Sequence, residues 1–234
     1  MKRIRIGHAA RRRALLQLVA SVAAAPGGVN LLVAQVLAQG TDGKQGVNRM
    51  RGKVRVNGQP VKPGAAVKPG DTVSTGARSY VTFVVGSDAF LLRGNSKLEL
   101  GGSGTLVNLA RVITGKLLSV YAKSTQPRRI EGLTATIGVR GTGAYIEVQP
   151  ERTYFCLCYG EAEIVPSALP QEKEMLRTLH HDQPRFIYGA KAKRVIEKAP
   201  VINHTDEELI LLESLVGREP PFVGTEAYKS GARY

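Results

Sequence analysis

The feature that most limits what this chain can fold into is its punctuation. From Val54 onward, apolar runs of about four to six residues recur at spacings near ten, separated by Gly, Pro, Asn or Asp. Val54-Arg55-Val56 leads into Asn57-Gly58, a pair that tolerates the positive φ of a two-residue hairpin turn. Pro63-Gly64, Pro69-Gly70-Asp71 and Gly76 break the chain next. Tyr80–Val85, Ala89–Arg93, Lys97–Leu100, Val112–Tyr121, Thr134–Val148 and Thr153–Val165 read as further strands. No helical period competes over this stretch. The expectation is therefore an all-β domain, built as a sandwich, barrel or solenoid of short strands rather than from βαβ units.

One helix is expected near the end. Thr205-Asp206-Glu207-Glu208 has the form of a capping box, in which Glu208 reaches back to the Thr205 amide. Leu209, Leu212 and Val216, with Ile210 and Leu215 beside them, form an apolar stripe at helical spacing. Gly217 stands where a left-handed C-terminal residue is needed, and Pro220-Pro221 prevent continuation. The domain plan is a leader over 1–38, a β domain over 39–200, this helix over 201–217 and an irregular tail over 218–234.

The leader reading rests on charge as much as on hydropathy. The chain carries 33 Lys and Arg against 19 Asp and Glu, a formal net charge of +14. Six of those cations, Lys2, Arg3, Arg5, Arg11, Arg12 and Arg13, precede residue 39, where no acid occurs, so the remainder carries +8. A basic start, an apolar stretch from Ala14 to Ala25 and Val36-Leu37-Ala38 are the three parts of an export signal, cleaved after Ala38. Arg12-Arg13 followed closely by Leu15 and Leu16 resembles a twin-arginine signal. Pro26-Gly27-Gly28 interrupts the apolar run, which is too broken for a membrane span of about 20 residues. The expected location is periplasmic, with no stable span after cleavage.

Several segments together resemble the FecR domain, the periplasmic β-module named after the iron-dicitrate transport regulator. They are Val61-Lys62-Pro63-Gly64, Val67 to Gly76, Leu92 to Leu100, Gly115 to Val120, and Thr134 to Tyr145 with the form T-A-x-I-G-V-R-G-T. The last is the most specific, and the resemblance spans about residues 50–165. It implies a FecR-like β-solenoid or sandwich outside the cytoplasm. The anti-sigma segment of the full regulators has no counterpart ahead of the apolar stretch. What the resemblance implies is thus an exported, non-enzymatic module for binding or signal relay, its partner an envelope protein or a cell-wall polymer.

Within that T-A-x-I-G-V-R-G-T run, Gly138, Gly141 and Gly143 do not make a phosphate loop. No Lys-Ser/Thr follows, and the next residues, Ala144 to Val148, read as a strand where a helix N-terminus would be required. The ordinary role of such glycines is a tight turn or a close approach between strands.

One constellation offers chemistry. Thr153-Tyr154-Phe155-Cys156-Leu157-Cys158-Tyr159 reads as a strand, and its period of two puts Cys156, Cys158 and Tyr154 on one face with Phe155, Leu157 and Tyr159 on the other. His180-His181 follows Cys158 after twenty-one intervening residues. If the two segments are neighbours, two thiolates and one or two imidazoles converge, a ligand set for Zn2+ or a copper ion. Three other readings stand beside it: buried thiols acting as small apolar groups; a Cys156–Cys158 disulfide, whose Cα separation of roughly 6–7 Å lies at the upper limit of bridging; and His180 and His181 as surface residues near a turn before Pro184.

Other classes fare worse. No Ser, His and Asp arrangement falls in a nucleophile setting, and the acidic pair Glu161/Glu163 on one strand face reads as solvated surface, so no enzyme is expected. Basic residues after the leader are scattered and few aromatics interleave with them, which argues against a nucleic-acid platform.

Overall fold

A computed structural model of the chain describes residues 44–225 and Tyr228. The segment expected to act as an export signal, with Arg12, Arg13 and the expected cleavage point at Ala38, lies outside the described residues, as does most of the tail. The all-β expectation holds. Among the described residues fourteen strands form one continuous sheet, and the helix Asp206–Leu215 follows them. In chain order the strands are β1 (Gly46–Arg51), β2 (Val54–Val56), β3 (Gln59–Pro60), β4 (Thr72–Thr75), β5 (Tyr80–Val85), β6 (Asp88–Leu92) and β7 (Lys97–Ser103). Then come β8 (Leu106–Val120), β9 (Arg128–Glu131), β10 (Ala135–Val148), β11 (Arg152–Pro166), β12 (Glu174–Thr178), β13 (Arg185–Tyr188) and β14 (Ile196–Lys198). The helix α1 runs over Asp206–Leu215, inside the span expected for it.

Pairing is antiparallel except between β8 and β9. The long strands β8, β10 and β11 carry the architecture, because each changes partner along its length. The first part of β8 pairs with β7, and its end, Leu117–Val120, lies between β6 and β10. Along β11, the stretch from Gly160 onward pairs with β12, whereas Arg152–Phe155 pairs with β13. Glu161 and Glu163 reach across to Arg177 and Lys173 at 2.9 and 2.8 Å, the exposed surface pairs that their alternation suggests.

The core has two layers. The first gathers residues from the strands and two from the loops between them, Val67 and Tyr121; Phe83, Phe90, Leu98, Leu117, Ile137, Ile146 and Phe155 are among them, and every buried member lies between Val47 and Ile187. The second lies on the opposite face, where Leu91, Leu118, Tyr145, Tyr154, Cys156 and Cys158 meet Leu209, Leu212 and Leu215 of α1. Strands covered on both faces lose their polar alternation, which is why Asp88–Leu92 is buried throughout. The helix packs on β6 and β8.

Six strands fall outside the pattern read from sequence: β1, ahead of Val54, the two-residue β3, β9, and β12 to β14, beyond Val165. All are short, most are rich in polar residues, and β12 leaves Met175 exposed, so no run of apolar alternation marks them. The helix stripe also shifts. Leu211 is buried while Ile210 and Val216 are only half covered, because α1 lies in the trough formed by Leu91, Leu118 and Tyr159. Its ends behave as read: Glu208 Oε2 accepts from the Thr205 amide at 3.1 Å. Gly217 has φ +71°, and the Arg218 amide returns to the Glu213 carbonyl at 2.9 Å. Among the described residues no helix is long and apolar enough to cross a membrane.

Candidate metal centre

Tyr154, Cys156 and Cys158 do share a face, the one that looks toward α1. Tyr159 was expected opposite them and instead joins them. Its partner on β10 is Gly143, and the next pair in register is Ala144 with Leu157, so β11 carries one extra residue, Cys158, at this point. A bulge of this kind brings two consecutive side chains to one side of the sheet. Gly143 makes room for it, since a Cβ there would lie 2.4 Å from the Tyr159 ring.

His180 and His181 occupy the bend between β12 and β13. The His181 backbone sits at φ +50°, and its amide donates to the Cys158 carbonyl at 3.0 Å, which fastens the bend to the bulged strand. This turns the His181 ring inward. Its Nδ1 lies 3.5 Å from Cys156 Sγ. The third group comes from much farther along the chain. His204, just ahead of α1, stacks on Tyr145 at 4.4 Å and brings its Nε2 to 3.0 Å from His181 Nδ1. The ligand atoms of Cys156, Cys158, His181 and His204 all lie within 4.8 Å of one another, and all four residues are buried.

The hydrogen bonds on the far sides of the two rings fix their tautomers. His204 Nδ1 lies 2.7 Å from the Ile202 carbonyl, which only accepts, so Nδ1 carries a proton. His181 Nε2 lies 3.0 Å from Asp206 Oδ1, again an acceptor, so Nε2 carries one too. In the neutral rings, His181 Nδ1 and His204 Nε2 then present lone pairs to each other across 3.0 Å, with a sulfur beside them. Two facing lone pairs repel unless a cation sits between or beside them. A proton serves, and so does a metal.

The titration behaviour says the same. Burial pulls the His181 pKa down, yet the hydrogen bonds and charges of Asp206 and Cys156 push it up to about 9. Burial raises the Cys156 thiol, but hydrogen bonds from Cys158, His181 and His204 more than reverse this and hold it well below its ordinary value. Cys158 moves the other way, raised by burial and by the neighbouring Cys156 sulfur. Asp206 resists its own partial burial and is lowered by its bonds to His181 and His180.

The spacing fits a tetrahedral ion. With metal–sulfur bonds of about 2.3 Å and metal–nitrogen bonds of about 2.05 Å, a tetrahedron has S–N edges of about 3.5 Å and N–N edges of about 3.3 Å. The Cys156–His181 and His181–His204 pairs are at 3.5 and 3.0 Å, close to one edge of each kind. Each imidazole also has its other ring nitrogen held, by a carboxylate for His181 and a carbonyl for His204, the usual way a protein orients a metal-ligating histidine.

Of the residues expected from sequence, Cys156, Cys158 and His181 are thus brought together, and His180 is not brought to the thiols. His180 Nε2 lies 2.8 Å from Asp206 Oδ1 and its ring stacks on Phe222 at 4.4 Å. His180, His181 and Asp206 form a second close group, accounted for by one carboxylate oxygen accepting from both rings. His204 and Asp206 escaped the sequence reading. A signal for His204 existed: beyond the leader the chain has only three histidines, and all three meet here. Cys156, His181 and Asp206 also line up in the order of a nucleophile, base and orienting acid. Cys156 has no exposed surface at all, so that alignment faces the ring stack and not solvent. Both thiols are free and buried in this structure.

Comparison with known proteins adds little at the site. The S4 domain family matches residues 50–73, a stretch from the end of β1 into β4 and distant in sequence from both cysteines. No curated protein matches the sequence. Two crystal structures of a candidate anti-sigma factor from Parabacteroides distasonis ATCC 8503 are similar in fold, weakly, each with a TM-score of 0.45. One is 11% identical and the match covers 54% of this chain and 59% of that one. For the other the figures are 10%, 62% and 73%.

Proposed function

We infer that this chain is an exported, non-enzymatic module of FecR type that binds one thiophilic metal ion through Cys156, Cys158, His181 and His204. Its role is binding or signal relay in the envelope, with an envelope protein or cell-wall polymer as partner. One observation carries the metal assignment: two imidazole nitrogens, His181 Nδ1 and His204 Nε2, stand 3.0 Å apart with the buried Cys156 sulfur 3.5 Å from the first. The export and relay parts rest on the leader and on the T-A-x-I-G-V-R-G-T run.

The ion is Zn2+ in preference to copper. A donor set of two sulfurs and two imidazole nitrogens gathered within 4.8 Å suits zinc. The four ligands fill the coordination shell and all are buried, so the centre is a closed, structural one with no position for an exchangeable water.

Elemental analysis of the protein recovered from its exported form tests this. One zinc per chain is expected, lost in Cys156→Ser and in His204→Ala and retained in His180→Asn. Metal-free protein, or a metal content unchanged by Cys156→Ser, refutes it.

A further inference from the structure

The four ligands come from two mechanically different parts of the molecule. Cys156 and Cys158 lie on β11, and His181 is tied to that strand by its own backbone hydrogen bond to Cys158. These three belong to the sheet. His204 belongs to the segment that crosses the sheet after β14 and continues into α1 and Phe222.

That segment is not needed to complete the principal core. Every buried member of the first apolar layer lies between Val47 and Ile187. The second layer alone takes residues from the segment, namely Leu209, Leu211's neighbour Leu212, Leu215 and Phe222. The segment's polar ties to the sheet are discrete side-chain contacts: the Tyr154 hydroxyl to the Pro200 carbonyl at 3.0 Å, Arg93 to the Asn203 carbonyl and to both Glu208 oxygens at 2.8 Å, Asn203 to the buried Glu147 at 2.7 Å, Asp206 to His180 and His181, Tyr159 to Glu213, and Arg218 to the Ser87 carbonyl at 2.6 Å.

We propose that the metal is the clasp that holds residues 199–222 on the sheet, so that its removal lets this segment open as a unit while the fourteen-strand core stays folded. The proposal rests on the metal assignment above and adds regulation to it. Opening detaches His204 and leaves only three ligands. A cation that prefers the four-ligand state suppresses opening by the ratio of its affinities for the two states. Loss of one ligand or its support weakens a site by about 10- to 100-fold, so loading suppresses opening by the same factor. Opening uncovers Leu91, Leu118, Tyr145 and Tyr154, an apolar face next to the bound or released ion. Metal occupancy is thereby converted into exposure of a surface, which is the form a relay needs.

Hydrogen exchange on the full exported chain tests this, with zinc-loaded protein compared with protein stripped by a chelator and with zinc content measured in parallel. Stripping should speed exchange of amides 206–216 by at least about tenfold, with the amides of β6, β8 and β10 unchanged. In His204→Ala, exchange in α1 should be fast and indifferent to zinc. If one zinc binds per chain and exchange of α1 does not respond, the clasp is wrong and the metal site stands. Simultaneous acceleration across the whole sheet also overturns the clasp. If no zinc binds at all, the site assignment falls and takes the clasp with it.

Discussion

His181 and His204, separated by twenty-three positions in sequence, point ring nitrogens at each other from 3.0 Å while their opposite nitrogens are tied to Asp206 and to the Ile202 carbonyl. Each outer tie commits a proton, so the inner pair is short of one positive charge. That deficit sets the behaviour of the centre, with or without metal.

The carboxylate behind His181 should matter to the metal without touching it. Asp206→Asn keeps the size of the side chain and removes the charge that orients the ring, and is expected to weaken zinc affinity by about 10- to 100-fold. Competition with a chromophoric chelator reads this directly. Cobalt substituted for zinc should keep its tetrahedral absorption in the variant, since no ligand is lost. An unchanged affinity would remove Asp206 from the site.

In metal-free protein the pH profile of stability should be nearly flat across neutrality. The raised His181 pKa contributes stability that is complete below its ordinary 6.5 and disappears as pH climbs through about 9. The depressed Cys156 pKa contributes with the opposite sign, complete above the ordinary 9.0 and lost as pH falls through the lower folded value. Between 6.5 and 9 the two slopes oppose, because folding only moves a proton from sulfur to nitrogen. Above 9, the raised Cys158 thiol resists ionisation that the unfolded chain allows, so stability falls. Urea midpoints measured from pH 6 to 10 with chelator present should show that plateau and drop. A steep loss between pH 7 and 8 contradicts the pairing.

The bulge that aims Tyr159 toward α1 depends on a missing side chain. Gly143→Ala sets a Cβ 2.4 Å from the Tyr159 ring, and the ring is held by Glu213 and by packing near Phe222 at 6.0 Å. Overpacking of this kind costs about 1–3 kcal/mol. Denaturant unfolding should show a lower midpoint with unchanged slope. A neutral result would mean that the ring moves freely.

Far from the cysteines, Arg128 and Asp88 form an ion pair at 2.6 Å with both side chains nearly inaccessible, 4% and 1% exposed. Asp88 also accepts from the Ala122 amide at 3.0 Å, joining β6 to the loop after β8. Asp88→Ala leaves a buried guanidinium without its counter-charge, a change that costs about 3–5 kcal/mol. Replacing both partners with apolar residues should recover much of that loss. If the single and double variants unfold alike, the pair is not what matters there.

Export is open to an independent check. Replacement of Arg12 and Arg13 together by Lys should leave the protein full-length inside the cell. The native protein recovered from the periplasm should begin at Gln39. Full-length native protein in the soluble cytoplasm would sink the localisation and the relay role with it.

The sequence by itself determined the strand class, the helix and the shared face of the two thiols. All three are local. Asn57-Gly58 fixes a turn through backbone sterics, Thr205 to Gly217 writes a helix between its caps, and residues two apart on a strand face one way whatever lies around them. Only the tertiary structure decided which histidines meet those thiols. His180 and His181 are adjacent, and a bend at φ +50° sends one to the sulfur and the other to Asp206 and Phe222. His204 arrives by a crossing segment whose path is set by how α1 buries its leucines against β6 and β8. The Tyr159 flip came from an extra residue in one strand of a pair, which is visible only when both strands are in register. Periodicity is a property of neighbouring bonds and can be read along a chain. The meeting of Cys156, Cys158, His181 and His204 depends on distances through space, and sequence separation does not encode those.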